Sequence, residues 1–344
     1  MQAIILTHTE PAELCQLSVK NSCCSLPFGS STVLENLLHR FMDSDISDIL
    51  ITHKESQTTY FEQLTAMYRE CLPPHVYIKL VVMPSGCSMT ELFSRIRSHI
   101  TMDYVFLTYS TTVLTDLDLR SVFLSLIRNN AAVTAVFCGL PCSESKHFKA
   151  LPREVVITSR SGTQLLGHYS PADIKKQTSI PRSLTSQGAA FLARTDLRDL
   201  RFYLLTKSTI EAFIRLREDF PHKKKTIWQL IDLISVDANG TTHTASDSPE
   251  ENMDRISDQV DAFYRCNKKS SGTCMYEHKT QRISIQLNDP LSFVEANRIV
   301  SPTAMLPISS IIGLSLSRAS NRVCTFFTET CFHIQLLSLL CWSV

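Results

Sequence analysis

The sequence predicts an α/β fold built on a doubly wound, mainly parallel sheet. Short apolar and β-branched runs alternate with amphipathic helical patterns over about the first 140 residues. Several helical patterns also begin with a capping signal. Strands and helices alternate this regularly when parallel strands are joined by right-handed crossovers. These observations together indicate one sheet with helices on both faces.

The first apolar run, at 3–7, is expected to be the central strand, because unbroken β-branched runs suit a strand buried on both faces. Four further strands are predicted at 48–52, 76–82, 104–107 and 132–137. Helical spacing fills the intervals between them. Thr32 with Glu35 and Ser88 with Glu91 are predicted capping boxes.

The second part of the chain is less regular. A hairpin is predicted at 154–168 with its turn at Ser161-Gly162, and a strand is predicted at 200–205. Ser208 with Glu211 predicts a capping box, and helices are expected near 208–218 and 225–235. The stretch 235–258 is polar and acidic and is predicted to be a mobile insertion.

Composition indicates an ordinary globular protein. The chain has 344 residues, 44% of them hydrophobic and 19% charged, and its net charge is +1. This balance argues against direct binding to nucleic acid or to a membrane surface. The chain opens on a strand and not on a leader, and its twelve cysteines are scattered without zinc-finger spacing. We therefore expect a cytosolic protein with reduced, mostly buried cysteines and no metal or cofactor.

The segment after the first strand carries a resemblance to a known family. It contains Thr9-Glu10-Pro11, Glu13 and then Cys23-Cys24-Ser25-Leu26-Pro27. The spacing resembles that of the nucleotide-diphospho-sugar pyrophosphorylases, whose loop reads Gly-Gly-x-Gly-x-Arg-Leu and, about ten residues later, Lys-Pro-Leu-Leu-Pro. The resemblance implies a nucleotidyltransferase-like, Rossmann-like fold. Aligned on the closing Leu-Pro, the family's glycines fall at about Thr9, Glu10 and Pro11, its arginine on Glu13 and its lysine on Cys23.

These substitutions predict a degenerate phosphate loop without catalytic or cofactor-binding residues. In the family the glycines let backbone amides approach a triphosphate, and the cations neutralise the departing pyrophosphate. Pro11 has no amide proton, and Glu10 and Glu13 would face a polyanion with like charge. Each lost donor typically costs about 3 kcal/mol of transition-state stabilisation. His8, which ends the first strand, is interpreted as a loop histidine whose polar atoms are satisfied locally.

The predicted metal position is also empty of ligands. The family ends its fourth strand with an aspartate that holds magnesium, whereas the segment 107–112 contains no carboxylate here. Asp116 and Asp118 follow near a helix start, where an aspartate more often caps the helix than binds a metal. Both are predicted to be structural. The three lysines at 223–225 could bind phosphate or RNA, but a solvated helix start is the favoured interpretation.

From Gly188 onward the chain resembles the gamma-subunit family of eukaryotic translation initiation factor 2B. The resemblance lies in 197–204, in the helix at 227–234 and in the string Glu295-Ala296-Asn297-Arg298. It implies a non-catalytic subunit of the guanine-nucleotide exchange factor complex that acts on translation initiation factor 2 with GDP or GTP. The implied partners are the epsilon-type and other subunits of that complex. The alternative is an active sugar-1-phosphate nucleotidyltransferase of the mannose-1-phosphate guanylyltransferase type.

The family continues after its nucleotidyltransferase-like domain, here predicted at 1–300, into a left-handed parallel β-helix. This chain is expected to keep at most the truncated first coil of that β-helix, at 301–314. Residues 315–344 depart from the pattern and are predicted to be a disordered tail, either from an alternative or misread exon or, second, as an amphipathic contact segment. A single coil of a β-helix has no neighbouring coil against which to bury its apolar faces.

Overall fold

The computed structural model describes residues 1–18, 22–71, 73–139, 154–170, 191–219, 227–234, 272–280 and 284–300. The predicted insertion at 235–258, the coil at 301–314, the tail at 315–344 and the lysines at 223–225 lie outside the described residues. The strands are β1 (Gln2–Leu6), β2 (Pro27–Phe28), β3 (Ser31–Thr32), β4 (Asp48–Lys54), β5 (Tyr77–Met83), β6 (Tyr104–Tyr109), β7 (Thr112–Leu114), β8 (Val133–Gly139), β9 (Val155–Ser159), β10 (Leu165–Tyr169), β11 (Phe191–Arg194), β12 (Leu197–Thr206), β13 (Thr273–His278) and β14 (Ser284–Gln286).

The helices alternate with the strands as predicted. They are α1 (Ala12–Cys15), α2 (Val33–Met42), α3 (Thr58–Cys71), α4 (Met89–Ile96), α5 (Leu119–Arg128), α6 (Lys207–Asp219), α7 (Ile227–Ile234) and α8 (Pro290–Val300). Among these described helices, none combines the length and the apolar character that crossing a membrane would require.

The main sheet has seven strands in the order β13-β8-β12-β6-β1-β4-β5. The predicted α/β fold with a mainly parallel sheet is confirmed, because β12 alone among these strands runs antiparallel to its neighbours. One expectation about strand order was wrong. β1 is an interior strand, but β6 occupies the middle of the sheet. β12 lies between β6 and β8, so the five strands predicted in the first 140 residues are not all neighbours in the sheet.

The insertion of β12 has a clear physical reason. This strand is ten residues long, and Phe202, Tyr203, Leu204 and Leu205 are fully buried. A run that is apolar on both faces gains most when each face is covered and each edge is paired. β12 pairs with β6 on one side and β8 on the other, and it thereby brings the second part of the chain into the sheet.

Capping follows the predicted signals at two of three helices. The Thr32 hydroxyl and Glu35 form a complete capping box at α2, and the Ser88 hydroxyl accepts from the Glu91 amide at α4. The third prediction was wrong by two residues. Helix α6 begins at Lys207, and the Thr206 hydroxyl, not that of Ser208, accepts from the Thr209 amide at 3.3 Å.

The core lies on both faces of the sheet. On one face the ring of Phe41 in α2 lies 6.3 Å from that of Phe106 in β6 and 6.1 Å from that of Phe202 in β12, measured between centroids. The predicted hairpin is confirmed as the antiparallel pair β9–β10, and Gly162 in its turn has a φ of +74° that glycine adopts without strain. The six cysteines whose side chains are described are free, and five of them are buried, as predicted.

Candidate functional site at the carboxyl end of the sheet

The candidate site is formed by the segment that follows β1. The carboxyl ends of the parallel strands β1, β4 and β6 meet here, which is where open α/β sheets bind their ligands. Backbone hydrogen bonds fix the start of the segment, since the Thr7 amide donates to the Thr52 carbonyl and the Ser110 amide to the Leu6 carbonyl, each at 3.0 Å. The loop therefore leaves the sheet from a rigid base.

The side chain of Glu10 is the central acceptor of this loop. Its residue is 7% exposed. Oε2 accepts from the Cys23 amide at 3.0 Å, and Oε1 accepts from the hydroxyls of Ser22 at 3.1 Å and Ser110 at 2.8 Å. Ser22 also accepts from the Cys24 amide and so caps the short 3-10 helix Cys23–Ser25. One carboxylate thus connects three separate segments of the chain.

Three thiols surround the same carboxylate. Cys15 Sγ lies 3.4 Å from Glu10 Oε2, and Cys24 Sγ lies 3.5 Å from Oε1. The sulfur atoms of Cys15 and Cys23 are 3.7 Å apart. Their hydrogen bond raises the pKa of the Cys23 thiol and lowers that of Cys15, and burial, followed by the Glu10 charge, raises the pKa of Cys24. A raised pKa keeps the Cys24 thiol protonated and therefore weakly nucleophilic.

The structure brings together only part of the predicted degenerate phosphate loop. Glu10 and Cys23 are in direct contact, and both are buried. Thr9 and Glu13 are exposed, and Pro11 is half-buried at the start of α1. Glu10 and Glu13 were both expected to face outward to a ligand. Glu10 does not, because its carboxylate points into the protein. The hydroxyls of Ser22 and Ser110 determine this orientation; Ser22 lies in the same loop, but Ser110 is a hundred residues away and gave no signal.

His8 is buried beside the loop. Its Nδ1 is 2.9 Å from the Thr52 hydroxyl, whereas its Nε2 has no hydrogen-bond partner within the described part of the chain. Burial, with a smaller effect of the Lys54 charge, lowers the pKa of His8 to about 4. The expectation of a fully satisfied loop histidine is thus correct for one ring nitrogen and not for the other.

A second polar cluster at the same edge was missed by sequence reasoning. The Asp199 carboxylate accepts from the Tyr203 hydroxyl at 2.7 Å and from the Trp228 indole at 2.8 Å, and burial raises its pKa. Glu154 accepts from the Asp199 amide at 2.9 Å and contacts His168 at 3.2 Å. Burial raises the pKa of Glu154, but these hydrogen bonds outweigh it and hold the pKa low. The cluster unites β12, α7 and the β9–β10 hairpin.

The segment that follows β6, where the family has its magnesium ligand, makes internal hydrogen bonds instead. Ser110 donates to Glu10, and the Thr112 hydroxyl donates to the Leu200 carbonyl at 3.0 Å and contacts Gln286 at 2.8 Å. These hydroxyl groups therefore already have hydrogen-bond partners within the protein. Hydroxyl and amide oxygens without a carboxylate are also poor ligands for Mg²⁺, so the segment does not fit that ion.

Asp116 and Asp118 have the predicted structural roles. Asp118 caps α5 by accepting from the Arg120 amide at 3.0 Å. Asp116 accepts from the Thr280 hydroxyl at 2.6 Å and contacts His278 Nε2 at 3.0 Å. These bonds connect the start of α5 to the end of β13.

His278 is expected to make the stability of the fold depend on pH. Burial lowers its pKa below the usual 6.5, although Asp116 opposes the shift. The unfolded chain therefore binds the proton more readily, so the free energy of unfolding falls as the pH drops below 6.5. We expect His278→Gln to flatten this slope in urea titrations at pH 5–7. His75→Gln, at an exposed position, is the matched control and should keep the wild-type slope; equal slopes in all three proteins would contradict the prediction.

Helix α8 closes over the loop. Asn297 accepts from the Gly29 amide at 3.0 Å and donates to the Pro27 carbonyl at 3.1 Å. Ala296 is fully buried, and it belongs to a core cluster with Leu26 and Phe28. The two stretches that carry the family resemblances, 23–27 and 295–298, are therefore neighbours in space.

Comparison with known proteins places the fold. No protein-family model matches the sequence, and no curated protein matches it. Among solved structures, a putative glucose-1-phosphate thymidylyltransferase from Bacillus anthracis, solved with a sucrose, superposes with a TM-score of 0.52 at 10% identity over 87% of this chain and 95% of its own. HddC from Yersinia pseudotuberculosis gives 0.51 at 10% identity, over 86% and 98%. At this identity the likeness concerns the fold alone, and the chain has a nucleotidyltransferase-like α/β fold.

Proposed function

We propose that this chain is a non-catalytic, nucleotidyltransferase-like subunit of translation initiation factor 2B. In this role it scaffolds the epsilon-type catalytic subunit and helps to dock translation initiation factor 2 with its GDP or GTP. Such a subunit works in the cytosol as part of a hetero-oligomer.

One observation carries the non-catalytic part of the proposal. The loop that would cradle a triphosphate has a buried carboxylate, Glu10, at its centre, and the donors around it already bond to that carboxylate. A polyanion entering the loop would meet like charge and would find the Cys23 amide occupied. Preorganised donors aimed at the developing charge supply most of the catalysis in such sites, so this arrangement opposes turnover.

The assignment to the translation factor rests on the resemblance of the chain from Gly188 onward. The packing of α8 on the loop supports it, because the residues of the string Glu295-Ala296-Asn297-Arg298 make identifiable contacts in the fold. Asn297 bonds to the loop, Ala296 fills the core and Glu295 pairs with Arg298 at 3.0 Å on the surface. These residues therefore attach α8 to the loop that follows β1.

A sugar-1-phosphate nucleotidyltransferase is the second candidate. It is favoured by the description of the Bacillus anthracis protein as a putative glucose-1-phosphate thymidylyltransferase. At 10% identity that likeness carries no substrate to this chain, and the occupied loop argues against the activity.

Two assays test the proposal. The purified chain is incubated with each nucleoside triphosphate, a sugar-1-phosphate and magnesium, and released pyrophosphate is measured. A working thymidylyltransferase is the positive control. We expect no turnover above background; robust pyrophosphate release would replace the proposal by the enzyme alternative. Co-expression with an epsilon-type subunit is expected to yield a stoichiometric complex by gel filtration, and separate elution of the two chains would contradict the scaffold role.

A further inference from the structure

We propose that Cys15, Cys23 and Glu10 form a zinc-binding site inside the loop that follows β1. The site lies beside the position where the family binds phosphates, but it uses different atoms and a different class of metal. The inference does not depend on the translation-factor assignment, since it concerns only side chains of this loop.

The distances between the donor atoms match those around a tetrahedral zinc ion. The three donor atoms all lie within 4.8 Å of one another. Zinc–sulfur bonds of about 2.3 Å place two sulfur ligands of a tetrahedral ion about 3.8 Å apart. The sulfur atoms of Cys15 and Cys23 are 3.7 Å apart, and Cys15 Sγ is 3.4 Å from Glu10 Oε2. An ion could therefore bind with small side-chain adjustments.

The type of donor selects the metal. Two thiolates and one carboxylate favour Zn²⁺ over Mg²⁺ or Ca²⁺, which prefer oxygen ligands only. All three residues are at least nine-tenths buried, so bound metal would be screened from competing water. Zinc binding would displace the protons of the two thiols, so the net charge of the buried site would not change.

The surroundings of Glu10 resemble the outer shell of known metal sites. Ligands in such sites are oriented by further hydrogen bonds, and the hydroxyls of Ser22 and Ser110 hold Oε1 while Oε2 faces the thiols. Each carboxylate oxygen has two lone pairs, so Oε2 can accept from the Cys23 amide and still bind zinc. The fourth position of the ion is left for a solvent molecule.

Metal binding is tested on the full chain, reduced and freed of metal. Zn²⁺ is titrated in competition with a chromophoric chelator, and Co²⁺ is used as a spectroscopic probe of thiolate ligands. We expect one zinc per chain and a thiolate-to-cobalt charge-transfer band. Cys15→Ser and Cys23→Ser should abolish the band and weaken zinc binding by more than the roughly 10–100-fold loss that is typical of outer-shell changes, whereas Ser110→Ala should fall within that range.

The matched control is Cys138→Ser, which changes a buried cysteine on β8, three strands away from β1 in the sheet, and should bind like the wild type. X-ray absorption at the zinc edge of the wild-type protein needs no variant, and it should find at least two sulfur ligands at about 2.3 Å. Failure of the wild-type chain to take up zinc, a cobalt band that persists in Cys15→Ser and Cys23→Ser, or a zinc ion with only oxygen and nitrogen ligands would overturn the proposal.

Discussion

Glu10→Ala is expected to lower the free energy of unfolding by about 3 kcal/mol or more, because three buried donors would lose their shared acceptor. The substitution leaves the Ser22 hydroxyl, the Ser110 hydroxyl and the Cys23 amide without their acceptor in the interior. Each unsatisfied buried donor costs about 1–3 kcal/mol. The loop, the 3-10 helix Cys23–Ser25 and the end of β6 would lose their common connection.

Urea unfolding in the presence of a chelator measures this effect without any contribution from metal. Glu10→Gln is an informative intermediate, because it keeps one acceptor oxygen and should lose less stability than Glu10→Ala. The matched control is Glu13→Ala in α1, where the side chain is exposed and the change should stay within about 0.5 kcal/mol. If Glu10→Ala were no more destabilising than Glu13→Ala, the carboxylate would not connect the loop segments.

Phe202→Ala is expected to cost about 3–5 kcal/mol, as is typical when a fully buried aromatic ring is truncated. The ring of Phe202 is 6.1 Å from that of Phe41 and 5.4 Å from that of Phe106, measured between centroids. The residue is fully buried on the strand that pairs with both β6 and β8. A cavity at this point would loosen α2 from the sheet and weaken the contact between the two parts of the chain.

The midpoint of urea unfolding should fall while the slope stays constant, since the variant exposes the same surface on unfolding. Val82→Ala is the control, because this side chain lies on the edge strand β5 and is 46% exposed, so its loss should cost about 0.5 kcal/mol or less. Equal losses for the two variants would mean that the cluster of Phe41, Phe106 and Phe202 does not hold the layers together.

The alternation of strands and helices could be predicted because it depends on local patterns. Apolar runs and capping signals located the strands of the first half and the helices between them, and the Thr32–Glu35 capping box was confirmed. Strand order could not be predicted in this way. The position of β12 depends on which long-range pairing buries most apolar surface, and 197–206 shows no local sign of its neighbours.

The candidate site was predicted only in part for the same reason. The contact between Glu10 and Cys23 lies within the segment that sequence reasoning singled out, but the direction of the Glu10 carboxylate is set by Ser110, a hundred residues away. The cluster of Asp199, Tyr203 and Trp228 joins β12 to α7 and was not foreseen. A polar residue in a sequence gives no indication of which remote donor will satisfy it.

The sequence alone determined the α/β class, the sites of most elements and the loss of the family's glycines, arginine and lysine from their aligned positions after β1, because composition and periodicity are local properties. The tertiary structure decided that β12 enters the sheet antiparallel and that Glu10 turns inward among hydroxyls and thiols. Both outcomes follow from one requirement: apolar surface and buried polar atoms must find partners, and those partners are brought together only by folding.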